Sequence, residues 1–305
     1  MTNPVSRRTF VKRTVLGASA LLAGCTEQSV VERVDTPLTA ADRVPLGVSG
    51  VTVPRVAMGT GTHGWKNASD QTRLGMENFA RLMAHGQNRG SAFVDAADLY
   101  GSHEFVRNAL KTGAIARDKV AILSKVWFAE APEMTPTDTA RPEVERFLEE
   151  MGVDEIDVCL IHCVQDSQWP EQLERMRDEL SELKAKGAVR AVGCSCHTHA
   201  ALERAADHPW VDVILARINP EHKRMDADAT TDGVGATLKR ARANGKGVIG
   251  MKIFGCGDLT SPAQREASLR YVLEKDLVDA MTIGFTAPEQ IDDTMGMIDT
   301  ILAGA

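Results

Sequence analysis

What this sequence lacks narrows its function early. It has no Lys/Arg-rich face: 35 basic residues stand against 42 acidic ones, a net charge of −7 over 305 residues. Such a surface is poor at neutralising phosphates, which excludes nucleic acid as a partner. No apolar run is followed by GxGxxG, and Gly59-Thr60-Gly61-Thr62-His63-Gly64 does not have that spacing, which argues against a doubly wound dinucleotide-binding sheet. The apolar run from Thr14 to Ala23 is shorter than the ~20 residues that cross a bilayer. The six cysteines form no CxxC pair, so the commonest sequence sign of a zinc site is missing. At 43% hydrophobic and 25% charged, the composition is that of a globular protein, large enough for one big domain or two small ones.

The first 25 residues stand apart. Arg7, Arg8, Lys12 and Arg13 are their only charges, and without them 31 basic residues face 42 acidic ones, a balance of −11. Ser6-Arg7-Arg8-Thr9-Phe10-Val11-Lys12, the apolar run, and Leu22-Ala23-Gly24-Cys25 resemble a bacterial twin-arginine signal peptide ending in a lipobox. The reading implies passage through the twin-arginine export machinery, lipidation of Cys25, and a periplasmic or cell-envelope lipoprotein held to the membrane by its lipid alone. Residues 26–43 then form a tether, and 44–305 the folded domain.

Past a hairpin-like lead from Pro45 to Pro54, apolar runs alternate with helical spacing eight times. The expected strands are Val56 to Thr60, Ala92 to Ala97, Val120 to Val126, Ile156 to His162, Val189 to Ser195, Val211 to Ile218, Val248 to Phe254 and Val278 to Gly284. Several are apolar without alternation, as parallel strands covered on both faces should be. Helical segments ending at Gly152, Gly187 and Gly245 fit left-handed caps. The fold expected is an α/β (β/α)8 TIM barrel with a short N-terminal β-hairpin, its chemistry at the C-terminal ends of the strands.

Four residues occupy such ends in order: Asp95 and Tyr100 after the second strand, Lys125 on the third and His162 on the fourth. A tyrosine flanked by a lysine and a carboxylate can act as a general acid towards a carbonyl, which a histidine can orient. Singly they read as a strand-end cap, a rim aromatic, a core ion pair and a satisfied barrel histidine; together they read as a site. With Gly59-Thr60, Glu104, Ala109-Leu110, Gly193-Cys194-Ser195, Asn219-Pro220 and Ile283-Gly284 in the same order, the stretch from Val51 to Thr294 resembles the aldo-keto reductases.

The resemblance implies hydride transfer from NADP or NAD to a small aldehyde or ketone, by a monomer. Tyr100 would donate the proton, Lys125 would lower its pKa from ~10, Asp95 would hold Lys125, and His162 would bond the substrate oxygen. It further implies cofactor contacts from Gly59, Thr60, Ser195, Cys196, Arg217, Met251, Lys252, Gly284, Thr286, Gln290 and Asp293. Several depart from the family pattern: Cys196 stands for asparagine, Arg217 is near a common glutamine, and Met251 replaces an aromatic. Gln290 stands where a basic residue for a 2'-phosphate is expected. His63, Trp65 and Trp127 are expected to line the substrate pocket.

Two other function classes compete. A barrel that binds a nucleotide or partner without turnover fits the altered contacts and a compartment where free nicotinamide nucleotides are not expected. A thiol or metal redox protein would use Cys163, Cys194, Cys196 and Cys256 near His162, His197 and His199, with Cys159 set deeper; the spacing favours no metal.

Overall fold

The computed structural model describes residues 38–129 and 136–304. The signal-peptide reading, Cys25 and the tether as far as residue 37 lie outside them.

A two-stranded antiparallel hairpin leads, β1 (Arg43–Pro45) with β2 (Thr52–Pro54). Eight parallel strands follow: β3 (Val56–Gly59), β4 (Phe93–Asp95), β5 (Ala121–Val126), β6 (Ile156–Val164), β7 (Val189–Cys196), β8 (Val213–Arg217), β9 (Gly247–Met251) and β10 (Ala280–Gly284). They close in chain order, β10 pairing back onto β3. Each expected strand is present within about three residues at either end.

Helices cover the barrel: α1 (Met76–Asn88), α2 (His103–Lys111), α3 (Arg141–Met151), the single turn α4 (Trp169–Gln172), α5 (Glu174–Ala185), α6 (His199–Asp207), α7 (Thr231–Ala243), α8 (Pro262–Glu274) and α9 (Pro288–Ala303). Their starts are written in the sequence. The Thr198 and Thr230 side chains accept the first free N–H groups of α6 and α7, Ser261 and Gln264 form a capping box on α8, and Pro288 opens α9.

Two apolar layers result. Alternate strand residues such as Phe93, Leu123, Leu160, Val213 and Ile249 fill the barrel, and their neighbours pack against the helices. Leu46, Val51 and Val53 of the hairpin, each at most 1% exposed, join the interior layer. The hairpin thus plugs the N-terminal end and leaves the C-terminal mouth for chemistry. Gly47, at φ +55, makes this approach possible, since a Cβ there would lie 2.1 Å from the Gly245 carbonyl oxygen. One boundary differs from expectation: Ala40, read as tether, donates its N–H to Asp299 Oδ1 at 2.7 Å and is buried, so the folded domain begins earlier than residue 44.

Candidate active site

The four strand-end residues meet at the C-terminal mouth. Asp95 closes β4 and Lys125 lies one residue from the end of β5; both are buried and their side chains form a direct ion pair. Lys125 Nζ also donates to the Ala96 carbonyl at 2.8 Å and sits 4.7 Å from the centre of the Tyr100 ring. Thr282 Oγ1 donates to the other Asp95 oxygen at 2.8 Å. Tyr100 ends a short 3-10 turn, Asp98–Tyr100, which places its hydroxyl 3.4 Å from His162 Nε2 with the rings edge to face.

Burial sets the protonation of this group. It holds the His162 imidazole well below its ordinary range, and the Lys125 and Lys252 charges push the same way, so the ring is neutral. It also lifts the Tyr100 phenol well above 10, with the Asp95 carboxylate the next cause. The Lys125 side chain pairs with Asp95, and burial lowers the lysine's own pKa. A phenol that keeps its proton is suited to giving it to a substrate anion.

Two cavities of about 360 Å³ flank Tyr100. One is lined by Trp65, Trp127, His63, His162 and Cys163, which matches the residues expected for a substrate pocket; Trp65 and Trp127 pack edge to face at 5.9 Å. The other is a groove past Met251 and Lys252 to Gly284, Gln290 and Thr294 at the start of α9. A reduced nicotinamide nucleotide fits this groove and its surroundings. Ser195 Oγ is fully buried without a partner at the mouth, as a carboxamide contact would need, and α9 presents its N-terminal end.

Not every expected contact converges. Thr60 is fully buried and donates its hydroxyl to the Asp95 carbonyl at 2.8 Å, so it braces the strand ends instead of facing the groove. Cys196 is corrected too: Ser195 belongs to the barrel side of β7, which turns Cys196 to the helix side, with its Sγ 3.6 Å from Cys194 Sγ. Arg217 gives Nη2 to His197 Nδ1 at 2.6 Å and keeps a buried, unpartnered Nε. Thr286 donates its N–H to Gln290 Oε1 at 2.8 Å, and Asp293 is exposed on α9 outside the groove lining. Gly59 and Gly284 remain in the groove wall.

One residue was missed. Arg265, on α8, lines the groove, and its Nε is buried without a partner. It puts a cation on the groove wall, where the last loop has none. Its only sequence signal is a basic residue one position past the capping-box Gln264, on a helix and not at a strand end. Among the described residues no group of three or more His, Cys, Asp or Glu is placed to hold a metal.

A neutral histidine and a proton-bearing tyrosine between a groove and an aromatic-walled pocket suit the transfer of electrons to a carbonyl, which makes this an oxidoreductase of the barrel class. The chain belongs to the aldo/keto reductase family, whose profile matches residues 55–268. It is similar to the methylglyoxal reductase of Yersinia pestis, 26% identical over 217 residues, covering 67% of this chain and 69% of that protein. It is 31% identical to the glyoxal reductase of Bacillus subtilis over 109 residues, 35% of this chain and 36% of the relative. Among solved structures, the holo form of an aldo-keto reductase from Bacillus halodurans superposes with a TM-score of 0.67 at 16% identity, over 84% of this chain and 90% of that one.

Proposed function

We propose that this protein reduces a small aldehyde or ketone to an alcohol, with Tyr100 as the proton donor. The observation that carries the reading is the meeting of Tyr100, His162 and the buried Lys125–Asp95 pair between a groove and an aromatic-walled pocket. A reduced nicotinamide bound in the groove supplies the hydride. His162, neutral, donates a hydrogen bond from Nε2 to the carbonyl oxygen and orients it, and the Tyr100 hydroxyl gives that oxygen its proton. Lys125 then faces the phenolate at its ring and is itself restrained by Asp95. Trp65 and Trp127 exclude water from the carbonyl. Arg265 supports recognition of a phosphate-bearing nucleotide, NADP or NAD. Relatives named for methylglyoxal and glyoxal reduction support a small carbonyl as substrate.

The test is oxidation of NADPH or NADH by the purified protein with a panel of small aldehydes and ketones. Tyr100→Phe should lose roughly 10²- to 10⁴-fold in rate with an unchanged melting temperature. A Tyr100→Phe protein as active as the parent would remove the tyrosine from its role.

The same reading places the enzyme in the cell envelope, exported by the twin-arginine route and anchored through Cys25. The Arg7-Arg8 pair, the short apolar run and the Leu22-Ala23-Gly24-Cys25 box support it. Export in the folded state would carry a bound nucleotide along. Cys25→Ala should move the protein from the membrane to the soluble fraction, and unchanged partitioning would sink the anchor.

A further inference from the structure

Lys252 stands where the two cavities meet. The groove and the aromatic-walled pocket share four residues, Gly61, Tyr100, Lys252 and Cys256. The lysine reaches that position by a break in strand period. Met251, the last residue of β9, faces the barrel interior, so alternation would turn Lys252 outward to the helices. Lys252 instead takes φ +60, a left-handed conformation strained for a residue with a side chain, and both side chains line the mouth. The bulge between Ile161 and Val164 in β6 re-aims a side chain in a similar way. The strained backbone is tied down: the Lys252 carbonyl accepts Asn219 Nδ2 at 3.1 Å and the Gly255 N–H at 2.8 Å. The ammonium has no counter-charge. Among the described residues its one hydrogen bond goes to Cys256 Sγ at 3.6 Å, a weak acceptor, and no carboxylate pairs with it. Asp95, the one carboxylate among the described residues of either wall, is already held by Lys125 and Thr282. Arg265, the groove's other cation, does not line the pocket.

We infer that Lys252 selects the substrate: the carbonyl compound carries a carboxylate, which the ammonium holds while Tyr100 and His162 engage the carbonyl oxygen. The inference rests on the reading of this pocket as the site of carbonyl reduction, and it names the class of compound reduced. A nucleotide contact accounts for Lys252 in the groove but not in the pocket, whose wall it shares with His162, Trp65 and Trp127. Its charge bears on the His162 imidazole, which sets it near the carbonyl end of the site. A half-buried ammonium without a counter-charge favours an anion over a neutral molecule of the same shape, and a charge-assisted bond to carboxylate oxygen replaces a weak one to sulfur. The pocket, about 360 Å³ in volume, suits a small oxo acid whose two groups are separated by a few carbons. A carbonyl compound that bears an amine instead is repelled.

Pyruvate, 4-oxobutanoate and 5-oxopentanoate, each set against its methyl ester, read the preference, because the ester keeps the carbonyl and the chain and removes the charge. For each pair kcat/KM with NADPH is measured in the full chain and in Lys252→Met, so that the intrinsic reactivity of each carbonyl cancels. The acid-to-ester ratio of at least one pair should fall about 10- to 100-fold in the variant, the scale of a lost hydrogen bond to a charged group. A ratio unmoved in every pair, with or without a weakened nucleotide Kd, would return Lys252 to the nucleotide and overturn the inference while leaving the reductase in place. If no carbonyl is reduced, the reductase reading fails, and succinate, which has carboxylates but no carbonyl, tests the site without turnover. Its Kd, followed by tryptophan fluorescence, should then weaken about tenfold or more in Lys252→Met, which would uphold the carboxylate site on its own. An equal Kd in the two proteins would sink both readings.

Discussion

Tyr100 owes its position to two glycines of the first barrel loop. A Cβ on Gly61 would lie 2.2 Å from Tyr100 Cε2, and one on Gly64 would lie 2.5 Å from Cδ1. The ring is confined between that loop and Lys125, and it is rigid, so an added methyl group must push it aside. Gly61→Ala should therefore lower the rate of carbonyl reduction by roughly 100-fold, the scale of a 1 Å misplacement of a reacting group. Nucleotide affinity should change little. Paired measurements of kcat and of nucleotide Kd check this, and a Gly61→Ala protein with parental kcat would show that the ring does not need the space. The sequence marks these glycines as a loop and nothing more, because the group they accommodate comes from the far side of α1 and β4.

The hairpin and the eight strands are legible for one reason: each has a simple pattern of burial. Parallel strands covered on both faces read as apolar runs, and the period of two along β7 would have sent Cys196 outward once Ser195 was set inward. Where the period breaks, legibility ends. The bulge in β6 re-aims Cys163, and nothing in the run Val158-Cys159-Leu160-Ile161 announces it. Arg265 was missed because strand-end reasoning does not look at helices. The hairpin's role as a plug is testable in the same terms. Leu46 is fully buried against the barrel interior, so Leu46→Ala should cost about 2–5 kcal/mol of stability by deleting packed methyl groups. Urea unfolding measures it, and a loss under 1 kcal/mol would mean that the barrel closes its N-terminal end without the hairpin.

Across the whole molecule, burial of groups that carry no charge at neutral pH limits stability on both sides of neutrality. His162 and His197 are held neutral when folded, whereas the unfolded chain takes up protons on both near pH 6.5. Below that pH the unfolded state binds more protons, so stability falls as pH falls. His162, almost fully buried, should contribute about 1.4 kcal/mol per pH unit; His197, half-buried, contributes less. On the alkaline side the signs reverse. Burial pushes the Cys159 thiol to about 12 and lifts Cys194 well above 9, while both ionise in the unfolded chain at their ordinary values. The unfolded state then holds fewer protons and stability falls as pH rises, with Tyr100 adding to the loss above about pH 10. Urea midpoints at pH 5.5, 7.5 and 10 should therefore form a dome with its top between roughly pH 6.5 and 8.5. His162→Gln should flatten the acid limb by close to one proton and leave the alkaline limb as it was. An acid limb of unchanged slope in that variant would show that the folded protein protonates His162, and with it would go the neutral imidazole on which the carbonyl contact depends.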